Sequence, residues 1–168
     1  QAFSPRREAL MSALNGVLGD YLIVDKNPLA ISMRLRQNGH PLELDKAELA
    51  SHFSKADGRL LVLVHGLCMN DLQWSRDGHD HGAGLAKELG YTALYLNYNT
   101  GRHISSNGHE FAATLEQLIA AWPVPVTELV IVGHSMGGLI TRSACHYAEL
   151  AGHAWPTVLK KMVFLLNI

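Results

Sequence analysis

Residues 60–64 read Leu-Leu-Val-Leu-Val, an unbroken apolar run that follows the turn signal Asp57-Gly58. A strand of this composition has no polar side to offer water, so it belongs inside a sheet that is covered on both faces. That requirement constrains the rest of the chain. Covered parallel strands need helical crossovers, and strand and helix patterns alternate along this sequence. Tyr91–Leu96 reads as a second central strand, Leu129–Val132 as a third buried strand and Met162–Leu166 as a fourth strand. Helical periodicity separates them over His81–Leu89, over Ser106–Trp122 and over Ser135–Ala151. In the second of these helices Phe111, Leu115, Leu118, Ile119 and Trp122 share a face, Asn107 and Glu110 are spaced as a capping pair, and Pro123 and Pro125 end the segment.

The segments before residue 60 add edges to this plan. AISMRLRQNGHPLEL has strand character on each side of Asn38-Gly39, a hairpin signal. Leu44-Asp45-Lys46-Ala47-Glu48-Leu49 combines a capping box with a hydrophobic staple, so a short helix starts at Asp45. Ser4-Pro5 opens a helix in which Leu10, Leu14, Val17 and Leu18 fall on one face. That stripe can pack on the domain, lie on a membrane or meet a further segment, and packing is the expectation. Without repeats, linkers or a composition shift, the chain divides into an amino-terminal helical segment (1–27) and one α/β unit (28–168), a mostly parallel sheet flanked by helices that begins with an antiparallel hairpin.

Composition removes several classes of function. Fourteen Lys and Arg against fifteen Asp and Glu leave no basic excess to gather phosphate backbones, so no nucleic-acid partner is expected. No apolar run approaches the roughly 18 residues of a membrane span, and QAFSPRREAL lacks the basic–apolar–small succession of a secretory signal. Cys68 and Cys145 are too few for a disulfide framework. Free thiols favour a reducing, cytoplasmic setting, with peripheral membrane association through the first helix as the variant of it. Ten histidines invite a metal reading, and His79-Asp80-His81 with His103 and His109 is the densest group. Loop histidines are more often solvated, so no metal or other cofactor is expected. The glycines match neither dinucleotide nor P-loop spacing.

Two strand ends carry chemistry. Gly133-His134-Ser135-Met136-Gly137 sits between a strand and a helix and matches G-x-S-x-G. A turn sharp enough to lift Ser135 above the sheet needs close backbone approach, which glycine permits. The following helix directs free N–H groups toward a developing negative charge. Upstream, Leu63-Val64-His65-Gly66-Leu67 also ends a buried strand. Its turn can aim the Leu67 N–H at the same pocket as the Met136 N–H, and two donors on one oxygen favour a tetrahedral intermediate over a planar carbonyl. Cys68 has no accompanying base pattern and does not read as the nucleophile.

LLVLVHGL (60–67) paired with VIVGHSMGG (130–138) resembles the α/β-hydrolases, in particular bacterial lipase- and esterase-like members. CMNDLQW (68–74) and YNTGRHISSNG (98–108) look like loops of one esterase-like subgroup. The resemblance spans most of residues 28–168 and implies Ser135 as nucleophile, Leu67 and Met136 as oxyanion amides, and His65 as a structural histidine. It implies that His134 is not the catalytic base. The substrate it implies is a small-molecule or lipid acyl ester. Tyr98, Asn99 and His103, with Asn70 and Asp71, follow central strands and read equally as pocket lining or as solvated loop. Trp74 reads as packing.

The pattern is incomplete. The family order is Ser, acid, His, yet the residues after Ser135 contain no Asp. His146 lies roughly 16 Å along the helix from the serine, and Glu149 and His153 lie farther on. The chain therefore reads as an incomplete α/β-hydrolase fold whose parent carries the acid and base, and residues 1–168 alone are expected to be inactive. Self-association or a further segment would cover the sheet edge. The competing class is a non-catalytic binding or scaffold protein, because fold does not fix function.

Overall fold

The computed structural model describes residues 4–166. Helix α1 spans Pro5–Val24, followed by the hairpin β1 (Arg34–Gln37) and β2 (His40–Pro41), and by α2 (Lys46–His52). Strand β3 (Arg59–Val64) leads through a 3-10 turn at Asp71–Trp74 into a ribbon, β4 (Ser75–Arg76) and β5 (His79–Asp80). Then come α3 (His81–Leu89), β6 (Thr92–Asn97), α4 (Ile104–Ala121), β7 (Glu128–His134), α5 (Met136–Ala151) and, after a 3-10 turn at Trp155–Val158, β8 (Leu159–Leu165).

Six strands form one sheet in the order β2-β1-β6-β3-β7-β8. β6, β3, β7 and β8 are parallel, while β1 is antiparallel to both β6 and β2. Residues 60–64 thus lie at the centre, paired with β6 on one side and β7 on the other. Leu60–Val64 are at most 1% exposed, as an all-apolar run demands. Asn38 (φ 50) and Gly39 (φ 74) take the two left-handed positions of the hairpin turn. Asp45 caps α2 by accepting from Ala47 N and Glu48 N, and the stapling residues Leu44 and Leu49 join the main core.

Two expectations need correction. Helix α4 starts at Ile104 rather than Ser106, and Asn107 is a buried residue inside it, donating from Nδ2 to Asn99 O at 2.8 Å. The first helix packs through the side opposite its apolar stripe. Ser12, Asn15, Gly19 and Leu22 are its buried residues, whereas Leu10 is 70% and Val17 77% exposed. The reason is close backbone approach. A Cβ on Gly16 would lie 2.3 Å from Cys68 Sγ, and one on Gly19 2.8 Å from Gly101 Cα. Asn15 then fixes the register: Nδ2 donates to Leu29 O at 2.8 Å, and Oδ1 accepts from Ile31 N at 2.8 Å. No helix among the described residues is long and apolar enough to cross a membrane.

Candidate active site

A single residue, Ser135, joins β7 to α5, with φ 53 and ψ −119. Such a conformation costs an L-residue about 1–3 kcal/mol and persists only where its surroundings impose it. Here Ser135 N donates to Leu165 O at 2.8 Å, and Ser135 O accepts from Gly138 N at 3.0 Å. The glycines of the motif have separate reasons. A Cβ on Gly133 would meet Gly138 N at 2.7 Å, and one on Gly137 would meet Val64 O at 2.3 Å. The helix therefore starts almost in contact with two strand ends, and any larger residue would push it away. Ser135 itself is exposed, at the amino-terminal end of α5.

The turn after β3 lies against this serine. A Cβ on Gly66 would be 3.3 Å from Ser135 Cβ and 3.2 Å from His134 Nδ1. Glycine is what lets the two turns touch. His65 anchors the first turn from below. It is fully buried and stacks on Tyr98 with ring centroids 4.5 Å apart. The Tyr98 hydroxyl donates to His65 O at 2.6 Å. Nδ1 of His65 lies 3.0 Å from Gly66 O, which favours the Nδ1–H tautomer as donor. Burial pushes the His65 pKa down to about 4, so the ring is neutral near pH 7. Leu67, half exposed at the tip, and Met136, the first residue of α5, stand on the two turns that meet. Met69 N donates to Gly66 O at 3.2 Å and Cys68 N to Thr100 Oγ1 at 3.0 Å, closing the loop.

Other residues singled out by the sequence support this end of the sheet from within. Tyr98 and Asn99 are 1% exposed; Asn99 donates from Nδ2 to Gly19 O and accepts at Oδ1 from Gly101 N. They are neither lining nor solvated loop: Tyr98 holds the turn after β3 through His65, and Asn99 ties α1 to the loop after β6. His103 is at the surface, 3.4 Å from Asp20 of α1. Asn70 caps the 3-10 turn through Leu72 N. Burial pushes the Asp71 carboxyl up, against the nearby Arg36, which bridges it to Glu8. Trp74 packs at the edge of His134 with centroids 6.3 Å apart. These supports of α1 were missed in the sequence; the Gly16–Gly19 pair within a helix was the available signal.

Histidines elsewhere do not converge on the serine. Asp80 caps α3 through Ala83 N and accepts from the Tyr95 hydroxyl, and His79 pairs across the small ribbon. Among the described residues no group of three or more His, Cys, Asp or Glu is placed to hold a metal. His146 lies on α5 with its ring against Tyr147, and no described histidine or carboxylate hydrogen-bonds the Ser135 hydroxyl. Both cysteines are free. A cavity of about 560 Å³ lies between the start of α4 and Tyr147 of α5, and another of about 420 Å³ lies beside α3. Neither is lined by Ser135, which stands in the open.

A family model described as the PGAP1-like alpha/beta domain matches residues 55–162, which include both turns. Two crystal structures of Bacillus licheniformis lipase BlEst2 are similar in fold. The propeptide form is 21% identical with a TM-score of 0.51, over 79% of this chain and 25% of that one. The mature form is 20% identical with a TM-score of 0.52, over 79% of this chain and 45% of that one. The chain thus spans less than half the length of either lipase chain. No curated protein matches it significantly.

Proposed function

The chain belongs to the PGAP1-like alpha/beta domain family, and from that premise we propose that its parent protein is a serine carboxylic-ester hydrolase of the α/β-hydrolase kind. The observation that carries the reading is Ser135, held exposed at φ 53 between β7 and α5 with the Gly66 turn against it. In this reading Ser135 Oγ attacks the carbonyl carbon of an acyl ester while its proton passes to a base. The Leu67 and Met136 amides donate to the carbonyl oxygen as it gains charge. Collapse of the intermediate breaks the ester C–O bond, the alcohol leaves with the proton, and water then cleaves the acyl-serine by the same steps in reverse.

In this reading the base and its carboxylate belong to sequence outside the described residues, because no described histidine or carboxylate hydrogen-bonds the Ser135 hydroxyl. The family relationship and the half-exposed Leu67 on the turn that meets Ser135 support an acyl ester, small or lipid, as substrate. The test is covalent labelling of the full-length protein by a fluorophosphonate, together with short-chain ester hydrolysis. Ser135→Ala is expected to abolish both, and residues 1–168 alone to turn over negligibly. A folded full-length protein that neither labels nor hydrolyses would leave the fold as a non-catalytic scaffold. Near-complete turnover by residues 1–168, lost in Ser135→Ala, would place the base inside this chain.

A further inference from the structure

Helix α1 is built the wrong way round for a helix that only packs on its own domain. Its buried residues are Ser12, Asn15, Gly19 and Leu22, with Leu22 the large apolar side chain among them. Its outer side holds Leu10 (70% exposed), Val17 (77%), Tyr21 (61%) and Val24 (79%), with Leu18 also exposed and Leu14 partly so. The spacing 10, 14, 17, 21, 24 makes one continuous stripe, about 21 Å long at 1.5 Å per residue. Turning large apolar side chains to water while burying an asparagine is unfavourable unless something apolar meets that face, and soluble surfaces rarely keep such a stripe bare.

Charge on the helix narrows the choice of what meets it. At 100° per residue, the exposed Arg6 and Arg7 fall on the same side as the stripe and head it. The two acids within the helix lie off the stripe: Glu8 pairs with Arg36 at 3.0 Å, and Asp20 lies 3.4 Å from His103, an ion pair only when that ring is protonated. Asp25 follows the helix end beside Lys26. An apolar stripe headed by arginines, with an aromatic ring in its second half, has the chemistry of a helix lying in the plane of an anionic lipid surface. Its docking residues Gly16 and Gly19 sit on Cys68, Thr100, Asn99 and Gly101, loops at the same end of the sheet as Ser135. Half-exposed Leu67 stands at that end too.

We propose that α1 is a lipid-surface docking element, which binds anionic bilayers through the Leu10–Leu14–Val17–Tyr21–Val24 stripe and turns the Ser135 end of the sheet toward them. Binding of this kind does not depend on the chemistry of Ser135; it adds to the esterase reading the surface at which a lipid ester would be met.

The test is co-sedimentation of the full-length protein with vesicles of phosphatidylcholine containing phosphatidylglycerol, and with phosphatidylcholine alone. The wild type is expected to partition onto the anionic vesicles. The triple variant Leu10→Ser, Val17→Ser, Tyr21→Ser should lose about tenfold or more in binding, with circular dichroism and melting temperature retained. Arg6→Ser should lose about fivefold on anionic vesicles and little on neutral ones. As a readout that does not need the triple variant to fold, the indole introduced by Val17→Trp should be quenched by brominated lipid well beyond the wild-type background. Undiminished binding by a folded triple variant, or an indole at position 17 that brominated lipid leaves unquenched, would overturn the proposal. So would a wild type that ignores vesicles and forms a dimer that the triple variant dissolves, since the stripe would then meet a second copy.

Discussion

The two faces of the central sheet are finished to different degrees. On one face Leu60, Val62, Val64, Leu94, Leu96, Leu129 and Ile131 meet Phe111, Leu115, Leu118, Ala144, Ala148 and Trp155 in a continuous core closed by α4 and α5. On the other, the buried apolar residues are Leu61, Leu63, Ala86, Tyr95 and Val132, with Val130 and Val163 only partly covered. A groove of about 420 Å³ remains there, between Leu85 and Leu89 of α3 and the strands β7 and β8. Connection handedness explains the asymmetry. The step from β3 to β6 crosses the sheet one way, and the steps from β6 to β7 and from β7 to β8 cross it the other way. Right-handed crossovers therefore put α3 on one face and both α4 and α5 on the other. Coverage follows from the direction of each strand step, and Ser135 stands at the start of α5, one of the two helices that close the better covered face.

The largest effect should come from the closed face. Leu115 is fully buried among α4, α5 and the sheet. Leu115→Ala is expected to cost the full-length protein about 3–5 kcal/mol in urea denaturation, because lost transfer energy and a sealed cavity add. A cost below about 1.5 kcal/mol would mean that this face relaxes as readily as the open one, and the comparison would fail.

His65 asks to which side the site end belongs. It is fully buried, and that burial lowers its pKa from 6.5 to about 4. Between these values the unfolded chain binds a proton that the folded chain refuses, so stability falls as pH drops from 6.5 toward 4 and is insensitive to this group above that window. The shift corresponds to about 3 kcal/mol. The difference in unfolding free energy between wild type and His65→Phe should therefore narrow or reverse by that order between pH 7 and pH 4. No such change would mean that water reaches the ring, and the site end would then share the openness of the α3 face.

How much of this was legible in sequence depended on which force placed each residue. The all-apolar 60–64 run, the Asp45 cap, the Asn38-Gly39 hairpin and the strand–serine–helix turn are governed by local rules, and each appears where its pattern indicated. Helix α1 was read from its apolar period, but backbone approach at Gly16 and Gly19 and the hydrogen bonds of Asn15 set its orientation, and neither leaves a hydrophobic pattern. The start of α4 was misread for a similar reason: Asn107 looked like a cap but serves Asn99 O from inside the helix. The ribbon β4–β5 was missed although Asp77 (φ 53) and Gly78 (φ 78) supply a hairpin dipeptide, because two-residue strands carry no alternation to read. At the site, the positions of the two turns were readable. The roles of Tyr98 and Asn99 beneath them were not, since a loop sequence does not report its own burial.

The smallest effect should come from the lip of the groove, and it is the most informative about what lies beyond it. Leu85 on α3 is 39% exposed and faces the open space above β7 and β8. Truncating a side chain already in contact with water removes little buried area and seals no cavity, so Leu85→Ala should cost under about 1 kcal/mol. The measurement belongs on the full-length protein, beside Leu115→Ala under the same conditions. If Leu85→Ala proves as costly as Leu115→Ala, the groove is filled in the intact protein, and the face that looks unfinished over residues 4–166 is a core shared with further polypeptide. If the cost stays small, the groove is open, and the sheet keeps one dry face and one wet one.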